Sequence, residues 1–106
     1  MIDENTLHEV TERLVGKFHP HKVILFGSQA RRTADSRSDV DILVVCPLSG
    51  SRRSMMVDMD RALKGFRLAR DVVVLSPEEF ERDRQIPGTI ARPAWKEGRV
   101  LYERPE

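Results

Sequence analysis

Two short apolar runs dominate the pattern of hydrophobic and polar positions: Val23-Ile24-Leu25-Phe26, and Ile42-Leu43-Val44-Val45 following Asp39-Val40-Asp41. Both are rich in β-branched residues and too short for ordinary helices, which predicts strands over about Lys22 to Phe26 and Val40 to Val45. Arg70-Asp71-Val72-Val73-Val74-Leu75 predicts a third. Elsewhere the spacing is helical. Leu7, Val10, Leu14, Val15 and Phe18, with Thr6-Leu7-His8-Glu9 as a capping box, predict a helix from about Thr6 to Phe18, stopped by Pro20. Met55, Met56, Met59, Ala62 and Leu63 predict another over roughly Arg52 to Lys64, with Gly65 as its stop and the Met stripe as its core face. Ser76-Pro77-Glu78-Glu79 has the form of a capped helix start, and that helix should reach about Arg84. A last helix is expected between Thr89 and Glu97, with Pro93 either removing one early hydrogen bond or marking the true start of the helix, and Arg99 to Tyr102 adds an edge strand.

Composition narrows the class. The chain has 106 residues, the size of one domain, so residues 1–106 are expected to hold a single core and no separate substrate domain. Hydrophobic residues make up 40% and charged residues 33%, which is globular composition. No apolar run approaches the roughly 18 residues that span a bilayer, and Met1-Ile2-Asp3-Glu4 is acidic where a secretory signal would be basic. A cytoplasmic protein is expected, without a membrane partner. Cys46 is the single cysteine, so no internal disulfide forms, and a small residue at a strand end is a simpler role for it than a nucleophile. His8, His19 and His21 lack ligand-like spacing and are read as surface residues.

A net charge of +1 argues against nucleic acid as the main partner. Locally the balance differs. From Gly27 to Arg70 there are nine Arg or Lys against five acids, which suits an anionic ligand or an acidic partner, although any single Arg can equally be solvated surface.

The candidate chemistry lies where the first two strands meet. Side chains alternate across a strand, so Asp39 and Asp41 point to one face about 7 Å apart. Between the strands stand Gly27-Ser28 and a polar turn; Gly27 lets a backbone approach closely, and Ser28 can donate its hydroxyl to a phosphate. A short helix over Ser28 to Arg32 would present free N–H groups to an anion, or Ser28 would merely cap it.

Gly27-Ser28, ten residues, then Asp39-x-Asp41, flanked by two apolar strands, resembles the signature of the polymerase-beta-type nucleotidyltransferase superfamily. It is most similar to the minimal nucleotidyltransferase branch, and the closing Glu97-Gly98-Arg99-Val100-Leu101-Tyr102 also looks like the end of these small proteins. The resemblance implies an α/β (α+β) fold: a small mixed sheet of three to four strands with helices packed around it. It implies that Asp39 and Asp41 ligate metal, and that Asp71, the acid opening the third strand, completes the site nearest the attacking hydroxyl. Gly27 and Ser28 then bind nucleotide. Such carboxylates suit two Mg²⁺ ions, with Mn²⁺ as a substitute, because hard cations take carboxylate and phosphate oxygens together. One departure stands out: many relatives have Ala-Arg-Gly where this chain has Ala30-Arg31-Arg32.

The implied activity is transfer of AMP from ATP to a hydroxyl. In minimal proteins of this type the acceptor is a Tyr of a partner HEPN-domain toxin, which makes the transferase an antitoxin. A small-molecule hydroxyl is the alternative acceptor. A different class of function is a binding module that neutralises its partner by occlusion; the intact Gly27, Ser28, Asp39, Asp41 and Asp71 argue against it. A homo-oligomer is compatible with either.

Overall fold

The computed structural model describes residues 2–27, 30 and 39–105. In chain order these form α1 (Glu4–Phe18), β1 (Lys22–Phe26), β2 (Val40–Val45), α2 (Arg52–Ala62), β3 (Arg70–Leu75), α3 (Pro77–Asp83), α4 (Ala91–Glu97) and β4 (Arg99–Glu103). The strands make one sheet in the order β3-β2-β1-β4. β1 runs antiparallel to β2 and β4, whereas β2 and β3 are parallel. Parallel neighbours need a crossover, and α2 provides it. The result is the small mixed α/β sheet expected above.

Both faces of this sheet are covered, which is why its strands read as nearly continuous apolar runs. Val23, Leu25, Val40, Ile42, Val44, Val72 and Val74 pack with Leu7, Val10 and Leu14 of α1 and Met59 of α2. Ile24, Leu43, Val45 and Leu75 pack on the other face with Phe80 of α3 and Ala91 and Ala94 of α4. Met59 and Leu63 are fully buried, so the Met-bearing stripe is a core face.

Local chemistry sets the helix ends, and several differ from expectation. Asp3, not Thr6, caps α1: its carboxylate accepts from the Thr6 N–H at 3.3 Å, starting the helix one turn earlier than the Thr6-Glu9 box would. α1 closes through His19, which adopts the left-handed conformation (φ 49°) with its N–H donating to Val15 O, before Pro20 is reached. α2 stops at Ala62, and its last carbonyl accepts from Arg13 of α1 at 3.4 Å while that guanidinium lies over the Phe66 ring. α3 has the expected box, with Ser76 Oγ accepting from Glu79 N and Glu79 Oε1 from Ser76 N. In α4, which begins at Ala91, Pro93 falls in the first turn, where its missing N–H costs no helical bond. Apart from Ala30, which is helical and packs on the core, the short helix expected over Ser28 to Arg32 lies outside the described residues.

Candidate active site

Strand register brings the candidate acids to one end of the sheet. Phe26 is the pairing partner of Asp41, and Asp41 that of Asp71, so the end of β1 and the starts of β2 and β3 lie side by side. Asp41 and Asp71 share the face of Leu43, Val45 and Leu75, at the same register, so their carboxylates project together. Asp41 is half-buried on an inner strand; Asp71 is exposed on an outer one. Asp39 is exposed immediately before β2, whose Val40 N–H donates to Ala69 O at 2.9 Å and closes the two strand starts together.

Gly27 abuts this pair. Its φ of 75° is one that L residues rarely adopt, and a Cβ there would sit 3.2 Å from Asp41 Cγ and closer still to Oδ2. Bare backbone is therefore a steric requirement for the present position of the Asp41 carboxylate. Ser28 lies outside the described residues, as do Arg31, Arg32 and Arg37.

The donor set fits a hard divalent cation. Two adjacent carboxylates, one of them seated against the bare backbone of Gly27, supply oxygen ligands. Among the described residues no three His, Cys, Asp or Glu side chains form a group that could hold an ion unaided. Mg²⁺ does not ask for that: it keeps waters and shares substrate phosphates.

The local excess of basic residues is smaller than the sequence suggests. Arg70, directly before Asp71, binds Asp60 Oδ1 at 3.0 Å and the carbonyls of Asp60, Phe66 and Leu68. It anchors the start of β3 and so positions Asp71. This tertiary role left no signal in the sequence, where Arg70 counted simply as one more cation. Arg52 is likewise engaged, with Glu79 at 2.5 Å. Cys46, at the opposite end of β2, is buried; burial pushes its thiol up, away from an activated nucleophile. His8 pairs with Glu12 at 3.1 Å on the surface, and His19 is exposed.

Comparison with known proteins identifies relatives of this chain and of its fold. Residues 8–106 match the family described as Polymerase beta, Nucleotidyltransferase. A Methanocaldococcus jannaschii protein, provisionally named a protein adenylyltransferase, is 31% identical over 105 residues, which cover 96% of this chain and 100% of that one. Two crystal structures share the fold. One, a provisionally assigned nucleotidyltransferase from Sulfolobus solfataricus, has a TM-score of 0.66 at 24% identity, covering 94% of this chain and 79% of that one. The other, a toxin-antitoxin with AMP-PNP, has a TM-score of 0.55 at 20% identity, covering 97% and 75%. No helix among the described residues is long and apolar enough to cross a membrane. The fold, the family match across residues 8–106 and the full-length relative together make this chain a nucleotidyltransferase, and it belongs to the polymerase beta nucleotidyltransferase family.

Proposed function

We propose that this protein transfers AMP from ATP to a hydroxyl of another protein, a Tyr of a HEPN-type toxin, and thereby acts as an antitoxin. The observation that carries the reading is the Asp41–Asp71 pair in register against the bare backbone of Gly27. The relative named for protein adenylyl transfer and the fold neighbour described as a toxin-antitoxin with AMP-PNP support the acceptor class.

In the proposed reaction the acceptor oxygen attacks the α-phosphorus of ATP, an O–P bond forms, the bond to the bridging oxygen breaks, and pyrophosphate leaves. Asp41 and Asp71, with Asp39 beside them, would hold Mg²⁺ together with the nucleotide phosphates, and the bound ion would supply charge neutralisation at the transferring phosphoryl group. Gly27 lets the Asp41 carboxylate sit against bare backbone, and Ser28 donates its hydroxyl to the phosphates. Asp71, exposed on the outer strand, is the acid an incoming protein meets first and takes up the hydroxyl proton.

The test uses purified protein, ATP labelled at the α-phosphate, Mg²⁺ and the product of the adjacent reading frame. Label on a Tyr of that product, absent with Asp41→Asn, is the expected result. Neutralisation of the partner by Asp41→Asn without any label would instead establish occlusion.

A further inference from the structure

Most described arginines are committed to neighbours: Arg13, Arg52, Arg70, Arg82, Arg84, Arg92, Arg99 and Arg104 each bind a carboxylate, a backbone carbonyl or an aromatic ring. Arg53 and Arg61 are exposed and have no acidic partner among the described residues. They are eight residues apart on α2 with Val57 midway, a spacing that puts all three on one side of the helix. Val57 is 42% exposed and stands between the two guanidinium-bearing residues. This stripe lines a groove between α2 and β3 that reaches Met56, Asp71 and Val72. Asp60, the one acid on its α2 wall, is held by Arg70, so the wall remains basic at both ends and apolar between.

We infer that this groove receives the acceptor protein, and that Arg53 and Arg61 select a segment whose acidic residues flank an apolar one. The inference rests on the proposed transfer reaction and names its substrate class. Eight helical residues span about 12 Å, which an extended segment covers in about four residues. Acids at that separation can meet both guanidinium groups while the residue between them covers Val57. Asp71 is part of the groove's lining, next to Val72 on the outer strand, so a bound segment lies along the strand that carries this acid. A protein segment fits better than RNA, because the groove has an apolar centre and, among the described residues, its lining contains no aromatic ring on which bases could stack. β3 is an outer strand, which leaves this side open to a partner.

Binding can be read without catalysis. A fluorescent Glu-rich peptide with one Leu and one Tyr should bind, and the same peptide with Lys for Glu should not. The double variant Arg53→Glu, Arg61→Glu should weaken the Glu-rich peptide about tenfold or more. ATP affinity in the presence of Mg²⁺ and the melting temperature should stay unchanged. Val57→Asp should weaken the peptide as well, and Asp41→Asn should bind it like the parent. Equal binding of the two peptides, indifference to the double reversal, or tighter binding of oligouridylate than of the Glu-rich peptide would overturn the assignment. Peptide binding that follows the expected pattern without AMP transfer to any acceptor would support the groove while removing the transfer reaction. Transfer to both peptides regardless of Arg53 and Arg61 would do the reverse.

Discussion

Asp41 is held between two strands, with Phe26 on one side and Asp71 on the other. Asp41→Asn keeps its shape and removes one charge. Transfer should fall about 100-fold or more, equivalent to at least about 2.7 kcal/mol of transition-state stabilisation. Stability should hold or rise, since repulsion between neighbouring acids is relieved. A labelled-ATP assay beside a melting curve checks both, and parental turnover in a folded variant would remove Asp41 from the reaction. Gly27→Ala tests the same site from its other wall. Left-handed backbone at a non-Gly residue costs about 1–2 kcal/mol, and the new methyl must displace the Asp41 carboxylate. Calorimetry should show ATP–Mg²⁺ affinity falling while the folded state survives; unchanged affinity would separate Gly27 from nucleotide binding. At this scale the placement of Gly27 and Asp41 at neighbouring strand ends was legible because a short gap separates the two apolar runs, whereas Asp71 was singled out by the family resemblance and its register beside Asp41 is what the structure adds. Arg70 was not, since its partners come from α2 and the α2–β3 loop.

Among the elements, α3 is the one whose start chemistry could be read directly: Ser76, Pro77 and Glu79 occupy their expected places. Glu79 also receives Arg52 from the start of α2, so one carboxylate joins two helices. The bond from Ser76 N–H, and then Arg52, hold its carboxyl below the usual Glu range. A depressed folded pKa means the stabilisation is complete above the unfolded Glu pKa and is lost as pH falls through the folded value. Glu79→Gln, which retains an acceptor for Ser76, should therefore flatten the acid side of the melting-temperature profile. Glu79→Ala should cost about 1 kcal/mol at neutral pH in urea titration. An unaltered acid limb in Glu79→Gln would show that Glu79 is not a source of that dependence. The start of α1 was misread for a related reason. Asp3 and Thr6 are both competent caps three residues apart, and nothing local distinguishes them. Asp3 prevails because its carboxylate reaches the Thr6 N–H, while Glu4 favours the same helix start electrostatically.

Across the molecule, the hydrophobic runs indicated the sheet, but not its order. That β4 pairs with β1, and so places the last strand beside the first, is a pairing between opposite ends of the sequence, Val23 with Tyr102 and Leu25 with Arg99, which no local pattern announces. The two covers of the sheet also come from different parts of the chain. α1 and α2 precede β3, whereas α3, α4 and β4 follow it. During synthesis, then, Gly27, Asp39, Asp41 and Asp71 have all emerged while Ile24, Leu43, Val45 and Leu75 still have no helix over them. At ordinary elongation rates that interval lasts on the order of a few seconds. A nascent chain paused after β3 would carry the acids of the candidate site on a sheet with one naked apolar face and an unpaired β1 edge, the condition that invites aggregation or chaperone capture. A chain ending at Ser76 should accordingly bind a hydrophobic dye and scatter light where the full chain does neither. If it stays monomeric and dye-free, the C-terminal helices are not needed to shield that face.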